Sequence, residues 1–300
     1  MGIDMNCVQL LLRAKKNGAS FERMATLGRQ WLRPNRSELI RALLDAGCDI
    51  SPASEQKLRD PAEIYADEFL HVLGAKQVTA IDANAFEGAQ VVHDMNRPLP
   101  DSLDSAFDVV LDGGTLEHVF DFPTALRNTM RMVKPGGLFI SCTMANNFAG
   151  HGFYQFSPEL FHRVLCKDNG YSIESCIIWE DIQNSKFYDF PDPDSLNSRV
   201  QITSRSGTYL FVQAKRTGNL SPDFVPQQSD YVKNWKAASS SQISNGGSAW
   251  KSALRENILR SLRETKMFRQ LLHRNIYRRL QLSRNKFKFL MPLEDLRVKL

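Results

Sequence analysis

The stretch FDVVLDGGTLEHVFDFPTALRNTMRMVKPGGLFISCT, residues 107–143, is the strongest indication of the fold. Its first apolar run, residues 107–111, has the length of a buried strand. Asp121 and Pro123 are typical of a helix start, and residues 134–137 (KPGG) predict the end of that helix before a second apolar run. The stretch therefore predicts a strand, a loop, a helix and a second strand, which together form one complete unit of an α/β sheet.

The loop between the first strand and the helix carries groups that suit a ligand site. It contains Asp112, the flexible pair Gly113 and Gly114, and the ionisable pair Glu117 and His118. In open α/β sheets, ligands bind beyond the carboxyl ends of the strands. We therefore expect this loop to lie at the ligand-binding edge of the sheet.

Upstream of this unit, three more strands and three helices are predicted, and the first helix, at residues 8–16, precedes all three strands. Apolar runs favour strands at residues 23–27, 78–81 and 90–93. Ser37 is a candidate cap for one helix, and Pro61 is a candidate first residue for a second helix. Both helices fall between the first two strands, so this part of the chain is predicted to be a helical insertion.

Downstream, a helix and two strands complete the pattern. Ser157 and Pro158 are typical of a helix start, and residues 171–179 and 208–214 are strand-like. Strands and helices thus alternate along most of the chain. This alternation predicts an α/β fold with a doubly wound, mostly parallel sheet.

The chain is predicted to have three parts. Residues 1–216 form the α/β domain with a helical insertion at about 35–74, and residues 217–249 have the serine- and glycine-rich composition of a linker. Residues 250–300 are predicted to be a basic amphipathic helical tail. The apolar residues of this tail recur at helical spacing, at Leu254, Ile258, Leu262, Leu272, Ile276 and Leu280.

The composition is ordinary for a globular chain. Of the 300 residues, 42% are hydrophobic, which is enough to build a core. No run approaches the roughly 18 apolar residues of a membrane span, and the amino terminus lacks the features of a secretory signal. The five cysteines are far apart and form no metal-ligand motif, so we expect reduced thiols and no metal site. These features predict a cytoplasmic protein.

The positive charge belongs to the tail. Residues 251–300 contain 14 Lys plus Arg against 4 Asp plus Glu, a net charge of +10 within a total of +5. The tail is predicted to be a solvated face, or to bind an anionic membrane surface or a protein partner. Nucleic acid is the least favoured partner, because the rest of the chain is acidic and would repel phosphates. Membrane binding would give the protein a peripheral location.

Several ordered motifs together resemble the class I S-adenosylmethionine-dependent methyltransferases. The motifs are FDVV at 107–110, LEHV at 116–119, KPGG at 134–137, the strand after it, and FSPEL at 156–160. The resemblance implies a seven-stranded-type Rossmann-like sheet whose last strand is antiparallel, which residues 209–214 fit. It also implies S-adenosylmethionine as the cofactor and methyl transfer as the reaction.

The glycine loop departs from the family pattern. The family normally places a loop of the E/DxGxG type after the first strand, whereas only Leu27, Gly28, Arg29 and Gln30 fill that place here. Gly28 and Asp82 are also 54 positions apart, against about 20 residues in nucleotide-binding sheets. The helical insertion accounts for this distance. The alternative to an enzyme is therefore a degenerate methyltransferase fold that serves as a non-catalytic binding or scaffold module.

The resemblance implies two groups that bind the nucleoside part of the cofactor. Asp82 would accept hydrogen bonds from the ribose hydroxyls; the alternative is a strand-end turn. Asp94 would accept a hydrogen bond from the adenine amino group, with Met95 against the ring. The alternative for Asp94 is an Asx turn leading into Asn96.

The methionine part of the cofactor would lie between two loops. Gly28 and Arg29 would approach it from the first strand, and Asp112 or the Gly113 backbone would face it from the loop after residue 111. The alternative is that Asp112 and Gly113 only form a tight turn.

Two histidines are candidate general bases for an accepting hydroxyl. His118 lies in the LEHV motif, and His151 lies in a polar and aromatic loop at residues 146–155, which we call the acceptor loop. An imidazole suits the role because its ordinary pKa is near neutrality. The alternatives are that His118 only orients its loop and that the acceptor loop only covers the core. The composition of this loop favours a small-molecule or glycan acceptor and methylation at oxygen.

Overall fold

The computed structural model describes residues 2–182, 185–196, 204 and 206–244. The strands in this part of the chain are β1 (Gly2–Ile3), β2 (Arg23–Leu27), β3 (Trp31–Leu32), β4 (Gln77–Asp82), β5 (Val91–Val92), β6 (Phe107–Asp112), β7 (Val133–Asn146), β8 (Tyr171–Glu180), β9 (Tyr188–Asp189) and β10 (Thr208–Arg216). The helices are α1 (Met5–Lys16), α2 (Arg36–Asp45), α3 (Pro52–Arg59), α4 (Asp67–Leu73), α5 (Phe122–Met132), α6 (Pro158–Val164), α7 (Pro193–Leu196) and α8 (Ser229–Ser244). None of these helices is long and apolar enough to cross a membrane.

The main sheet has eight strands in the order β5-β4-β2-β6-β7-β10-β8-β9. The pairs β4–β5, β2–β4, β2–β6 and β6–β7 are parallel, and β10 is antiparallel to both β7 and β8. The strand order therefore reverses between β2 and β6. The last long strand, β10, is inserted between β7 and β8 and is antiparallel to both. This arrangement confirms the predicted Rossmann-like methyltransferase fold.

Helices cover both faces of this sheet. In β6, Val109 and Leu111 pack in a core with α1, α2, α3 and α4, whereas Val110 between them packs in a second core with α5 and α6. Alternate residues of a strand point to opposite faces. All six residues of β6 are buried, as expected for a central parallel strand. The doubly wound architecture predicted from the sequence is confirmed.

The helical insertion contains three helices rather than two, and their starts differ from the prediction. Asn35, not Ser37, caps α2, because its side-chain oxygen accepts hydrogen bonds from two backbone N–H groups of the first turn. The next helix, α3, begins at Pro52 after the Ser51 cap. The start predicted at Pro61 is wrong, because this proline follows the end of α3 and lies in the turn before α4.

The chain does not enter a helix directly after β2. Residues 28–30 lead into β3, which pairs in parallel with β1 at the amino terminus, and the first helix afterwards begins at Arg36. No helix N-terminus thus follows the glycine of this loop, so the usual support for an anionic ligand group is missing there.

The KPGG motif ends α5 as predicted, but it belongs to the start of β7. Residues 134–137 interrupt the pairing of β7 with β6, whose register shifts between Phe107 and Val109. A Cβ added to Gly137 would lie 2.6 Å from the Asp108 carbonyl oxygen. Glycine is needed there because the two backbones approach too closely for any side chain.

The segment predicted as a linker contains structure. Helix α8 occupies Ser229–Ser244, and the Ser229 backbone N–H donates to the Glu159 carboxylate in α6 at 2.7 Å. Residues 229–244 of the predicted linker are therefore helical. The basic tail, with its apolar positions from Leu254 to Leu280, lies outside the described residues, and its proposed binding to a membrane or a partner stays a prediction.

Candidate active site

The carboxyl ends of β2, β4 and β6 meet at one place. Gly28 adopts a left-handed backbone conformation with φ of 67°, and its N–H donates to the Ile81 carbonyl at 2.7 Å. A Cβ added to Gly28 would lie 3.5 Å from Asp82 Oδ2 and 3.4 Å from Thr115 Oγ1. Thr115 Oγ1 in turn donates to the Leu27 carbonyl at 2.6 Å. The fold therefore brings Gly28 and Asp82 together despite their separation in the sequence.

The Gln30 side chain covers Gly113. Its amide Nε2 donates to the Leu27 carbonyl at 2.6 Å, and the residue is only 5% exposed. A side chain on Gly113 would overlap Gln30 Oε1, so the amide lies directly against the glycine backbone. Gln30 Oε1 is buried and has no hydrogen-bond partner. The sequence pattern identifies Gln30 only as a bulky residue where the family has a glycine. It does not indicate this unpaired acceptor oxygen.

Arg29 points away from Gly113 and toward the helical insertion. Its guanidinium forms an ion pair with Asp67 at 3.0 Å and lies 3.9 Å from the centre of the Tyr65 ring. It also donates to the Glu87 carbonyl at 3.2 Å. The insertion and the loop after β4 thus hold Arg29, which leaves its backbone as the part that can face a cofactor.

The two nucleoside-binding candidates differ in their freedom to bind a ligand. Asp82 has one weak internal contact, because its Oδ1 accepts from the Asn84 N–H at 3.4 Å. Asp94 Oδ1 accepts from both the backbone and the side-chain amide of Asn96, at 2.9 and 2.7 Å. These hydrogen bonds lower the pKa of Asp94 and form the Asx turn considered as its alternative role. Met95 is 5% exposed and packs in the core.

Asp112 is fully buried and holds its loop together. Its Oδ1 accepts from the N–H groups of Thr115 and Leu116 at 2.8 and 3.2 Å, and its Oδ2 accepts from Ser141 Oγ at 2.7 Å. Burial raises the pKa of the Asp112 carboxyl, and these hydrogen bonds oppose that effect. Both carboxylate oxygens are used inside the protein. Neither oxygen is therefore free for a ligand, and Gly113 lies beneath the Gln30 side chain, so a ligand at this edge would meet Gln30 before Gly113.

Glu117 is a second buried acid in the same loop. It is 0% exposed, and its Oε2 accepts from Thr143 Oγ1 at 3.0 Å, whereas its Oε1 has no hydrogen-bond partner. Burial and the nearby Asp112 raise the pKa of Glu117 to about 8. The sequence showed Glu117 only as the neighbour of His118. A charged residue type does not by itself predict the burial of Glu117.

The two candidate bases lie side by side. His118 Nε2 and His151 Nε2 are 3.2 Å apart, although the residues are 33 positions apart in the sequence. Burial, and then the neighbouring His151, lowers the pKa of His118. The acceptor loop is fixed on the LEHV turn, since the N–H groups of Phe153 and Tyr154 both donate to the Glu117 carbonyl, at 2.8 and 3.2 Å.

Aromatic rings border this histidine pair. Phe120 and Phe153 are 72% and 66% exposed, and their ring centroids lie 5.9 Å apart in an edge-on arrangement. The Tyr154 hydroxyl donates to the Phe120 carbonyl at 2.7 Å, which ties the two segments together. Exposed rings next to polar groups can hold an apolar or sugar ring by contact with its face.

A family model described as a methyltransferase domain matches residues 46–141. The matched range includes Asp82, Gly113 and His118, but it begins after β2 and therefore omits Gly28 and Gln30. The match supports a class I S-adenosylmethionine-dependent methyltransferase, the family that the sequence resembles. It also supports S-adenosylmethionine as the cofactor. No curated protein matches the chain by sequence.

Solved methyltransferases are similar to this chain at a distance. The 1,6-didemethyltoxoflavin-N1-methyltransferase of Burkholderia thailandensis has 14% identity and a TM-score of 0.37 over 70% of this chain and 77% of its own. The N-methyltransferase NodS of Bradyrhizobium japonicum has 12% identity and a TM-score of 0.39 over 71% and 87%. A methyltransferase of Mesorhizobium loti has 16% identity and a TM-score of 0.37 over 69% and 96%. Because these likenesses are weak, the fold assignment depends on the strand order described above.

Proposed function

We propose that this protein transfers a methyl group from S-adenosylmethionine to an oxygen of a small-molecule or glycan acceptor. The observation that carries the proposal is the meeting of Gly28, Asp82 and Gly113 at the ends of three adjacent parallel strands. This edge, at the reversal of strand order, is where open α/β sheets bind their ligands.

The residues at this edge suit the separate parts of the cofactor. The Asp82 carboxylate accepts from the ribose hydroxyls, because its oxygens make only one weak internal contact within the described part of the chain. Asp94 Oδ2, which lies 3.9 Å from Arg97 Nε, is the oxygen that accepts from the adenine amino group. Gln30 Oε1 accepts from the ammonium group of the methionine part, which gives this buried atom the partner that it lacks within the protein.

The histidine pair supplies the base for the acceptor. As the hydroxyl oxygen attacks the methyl carbon, its proton passes to an imidazole nitrogen of His151 or His118. The oxygen–carbon bond forms, the carbon–sulfur bond breaks, and S-adenosylhomocysteine leaves. Alignment of oxygen, methyl carbon and sulfur is the other requirement of the reaction. Phe120 and Phe153 hold the acceptor ring beside the imidazoles.

A methyl-transfer assay with labelled S-adenosylmethionine tests the proposal. The acceptor panel should contain phenols, sugar alcohols and amines, and we expect transfer to hydroxyl acceptors. Replacing both His118 and His151 with glutamine should lower kcat at least 100-fold, since general base catalysis contributes about 10²–10⁴. Cofactor affinity should change little. Transfer to amines alone would refute oxygen methylation, and cofactor binding without any transfer would favour the non-catalytic alternative, which the family match does not favour.

We expect Gln30→Ala to weaken S-adenosylmethionine binding by about tenfold to 100-fold, because a hydrogen bond to a charged group contributes about 1.5–3 kcal/mol. Isothermal titration calorimetry measures this change. Gln30→Glu is the matched comparison, since it keeps the acceptor oxygens and adds a charge opposite to that of the ammonium group. Tighter binding by Gln30→Ala would instead identify the side chain as a plug over Gly113.

A further inference from the structure

We propose that Glu117, His118 and His151 form a binding site for a divalent transition-metal ion, with zinc as the best-fitting ion. One ligand atom from each of the three residues lies within 4.8 Å of the other two. Two imidazoles and one carboxylate are a donor set of catalytic zinc sites and of iron(II) sites that keep positions open for water or substrate.

The spacing of the imidazoles fits a tetrahedral ion. Zinc–nitrogen bonds of about 2.0–2.1 Å place two tetrahedral ligand atoms about 3.3 Å apart. The Nε2 atoms of His118 and His151 are 3.2 Å apart. A direct hydrogen bond between the two rings would explain this distance as well, but it would leave the third member of the cluster without a role.

That third member is Glu117, and its environment points to a ligand. Its Oε1 is buried and has no hydrogen-bond partner, although burying an unpaired polar atom is costly. Its Oε2 is already held by Thr143 Oγ1 at 3.0 Å. A hydrogen bond to one carboxylate oxygen that leaves the other free is the usual support for a metal-ligating carboxylate.

The backbone keeps the three residues in register. Glu117 and His118 belong to one short 3₁₀ turn, and the loop that carries His151 donates two backbone hydrogen bonds to the Glu117 carbonyl. Gly152 allows this approach, because an added Cβ would lie 2.8 Å from that carbonyl oxygen and the backbone φ is 68°. Since His118 is exposed, an ion can reach the site from solvent.

The metal site itself does not require methyl transfer, and its role in the reaction rests on the proposed function. A bound ion would coordinate the acceptor oxygen and lower its pKa, and the imidazoles would act as its ligands in the metal-loaded protein and as the base in the metal-free protein. The sequence predicted no metal site, because its cysteine and histidine spacing contains no ligand motif.

Titration of the metal-free full-length chain with Co²⁺ alone, followed by visible absorption, tests the site. We expect one ion per chain with the intense bands of a four-coordinate site, and displacement of Co²⁺ by Zn²⁺. The variants His118→Gln, His151→Gln and Glu117→Gln should each lower the affinity by more than about 100-fold, because the loss of a supporting residue alone costs about 10–100-fold. His71→Gln is the control and should bind as the parent does, because the His71 ring lies on helix α4 and hydrogen-bonds to the Ala75 carbonyl instead of belonging to the three-residue cluster.

Three results would overturn the site. The first is the absence of Co²⁺ and Zn²⁺ binding at micromolar ion, and the second is unchanged affinity in the variants of the exposed His118 and the half-buried His151, His118→Gln and His151→Gln. If Glu117→Gln is folded and binds as the parent does, the three-ligand site is wrong. No cofactor or acceptor is present in this titration, so its outcome is independent of whether the chain transfers methyl groups.

Discussion

Replacing Asp82 with alanine is expected to weaken S-adenosylmethionine binding by at least about 100-fold, because two charge-assisted hydrogen bonds to the ribose are lost and each contributes roughly 1.5–3 kcal/mol. The fold should survive, since the weak contact with the Asn84 N–H is the internal hydrogen bond that this side chain makes. Isothermal titration calorimetry measures the affinity, and thermal denaturation checks the fold.

The matched control is Asp49→Ala, which removes an exposed acid from the helical insertion. It should leave the affinity unchanged. Asp82→Asn should give an intermediate loss of about tenfold, since one acceptor oxygen remains and the charge does not. If Asp82→Ala changes the affinity by less than about threefold, less than the net contribution of one such hydrogen bond, the ribose assignment is incorrect.

The second large effect is on stability. We expect Asp112→Ala to lower the free energy of unfolding by about 3–5 kcal/mol, because each buried donor left unpaired costs about 1–3 kcal/mol. The donors are the N–H groups of Thr115 and Leu116 and the hydroxyl of Ser141. Urea denaturation followed by circular dichroism measures the loss.

Asp112→Asn is the matched variant because it keeps the shape of the side chain. Its oxygen can accept from the two N–H groups, and its amide can donate to Ser141 Oγ, so the expected cost is within about 1 kcal/mol. An equal loss in both variants would show that the negative charge, rather than the hydrogen-bond geometry, stabilises this loop.

The strands were accessible to sequence reasoning because their signal is local. The strand predicted at residues 23–27 is β2, and the one predicted at 107–111 differs from β6 by a single residue. A run of apolar residues between turn residues indicates a strand that is buried on both faces of the sheet. This inference does not require its neighbouring strands to be known. The antiparallel last strand, by contrast, was placed by the family resemblance, and the pairing of β10 with β7 and β8 confirms it.

The insertion was less predictable because several residues there are equally good helix starts. Asn35 and Ser37 are both suitable caps, and Pro52 and Pro61 are both suitable first residues. Only the tertiary packing selects among them. Leu39, Ile40 and Leu43 of α2 are buried, and the helix that buries them begins at Arg36.

Some features of the candidate site are likewise predictable from the sequence, whereas others depend on tertiary packing. Sequence patterns predict an acid at the end of β4, a loop after β6 and histidines in the LEHV motif and the acceptor loop, since each follows an apolar strand or lies in a recognisable motif. They do not predict that Gln30 lies over Gly113, that Glu117 is buried with an unpaired oxygen, or that His118 meets His151, all of which come from the packing. The physical reason is that hydrophobic periodicity fixes what a short segment becomes, whereas burial and partnership of a polar atom depend on distant segments that pack around it.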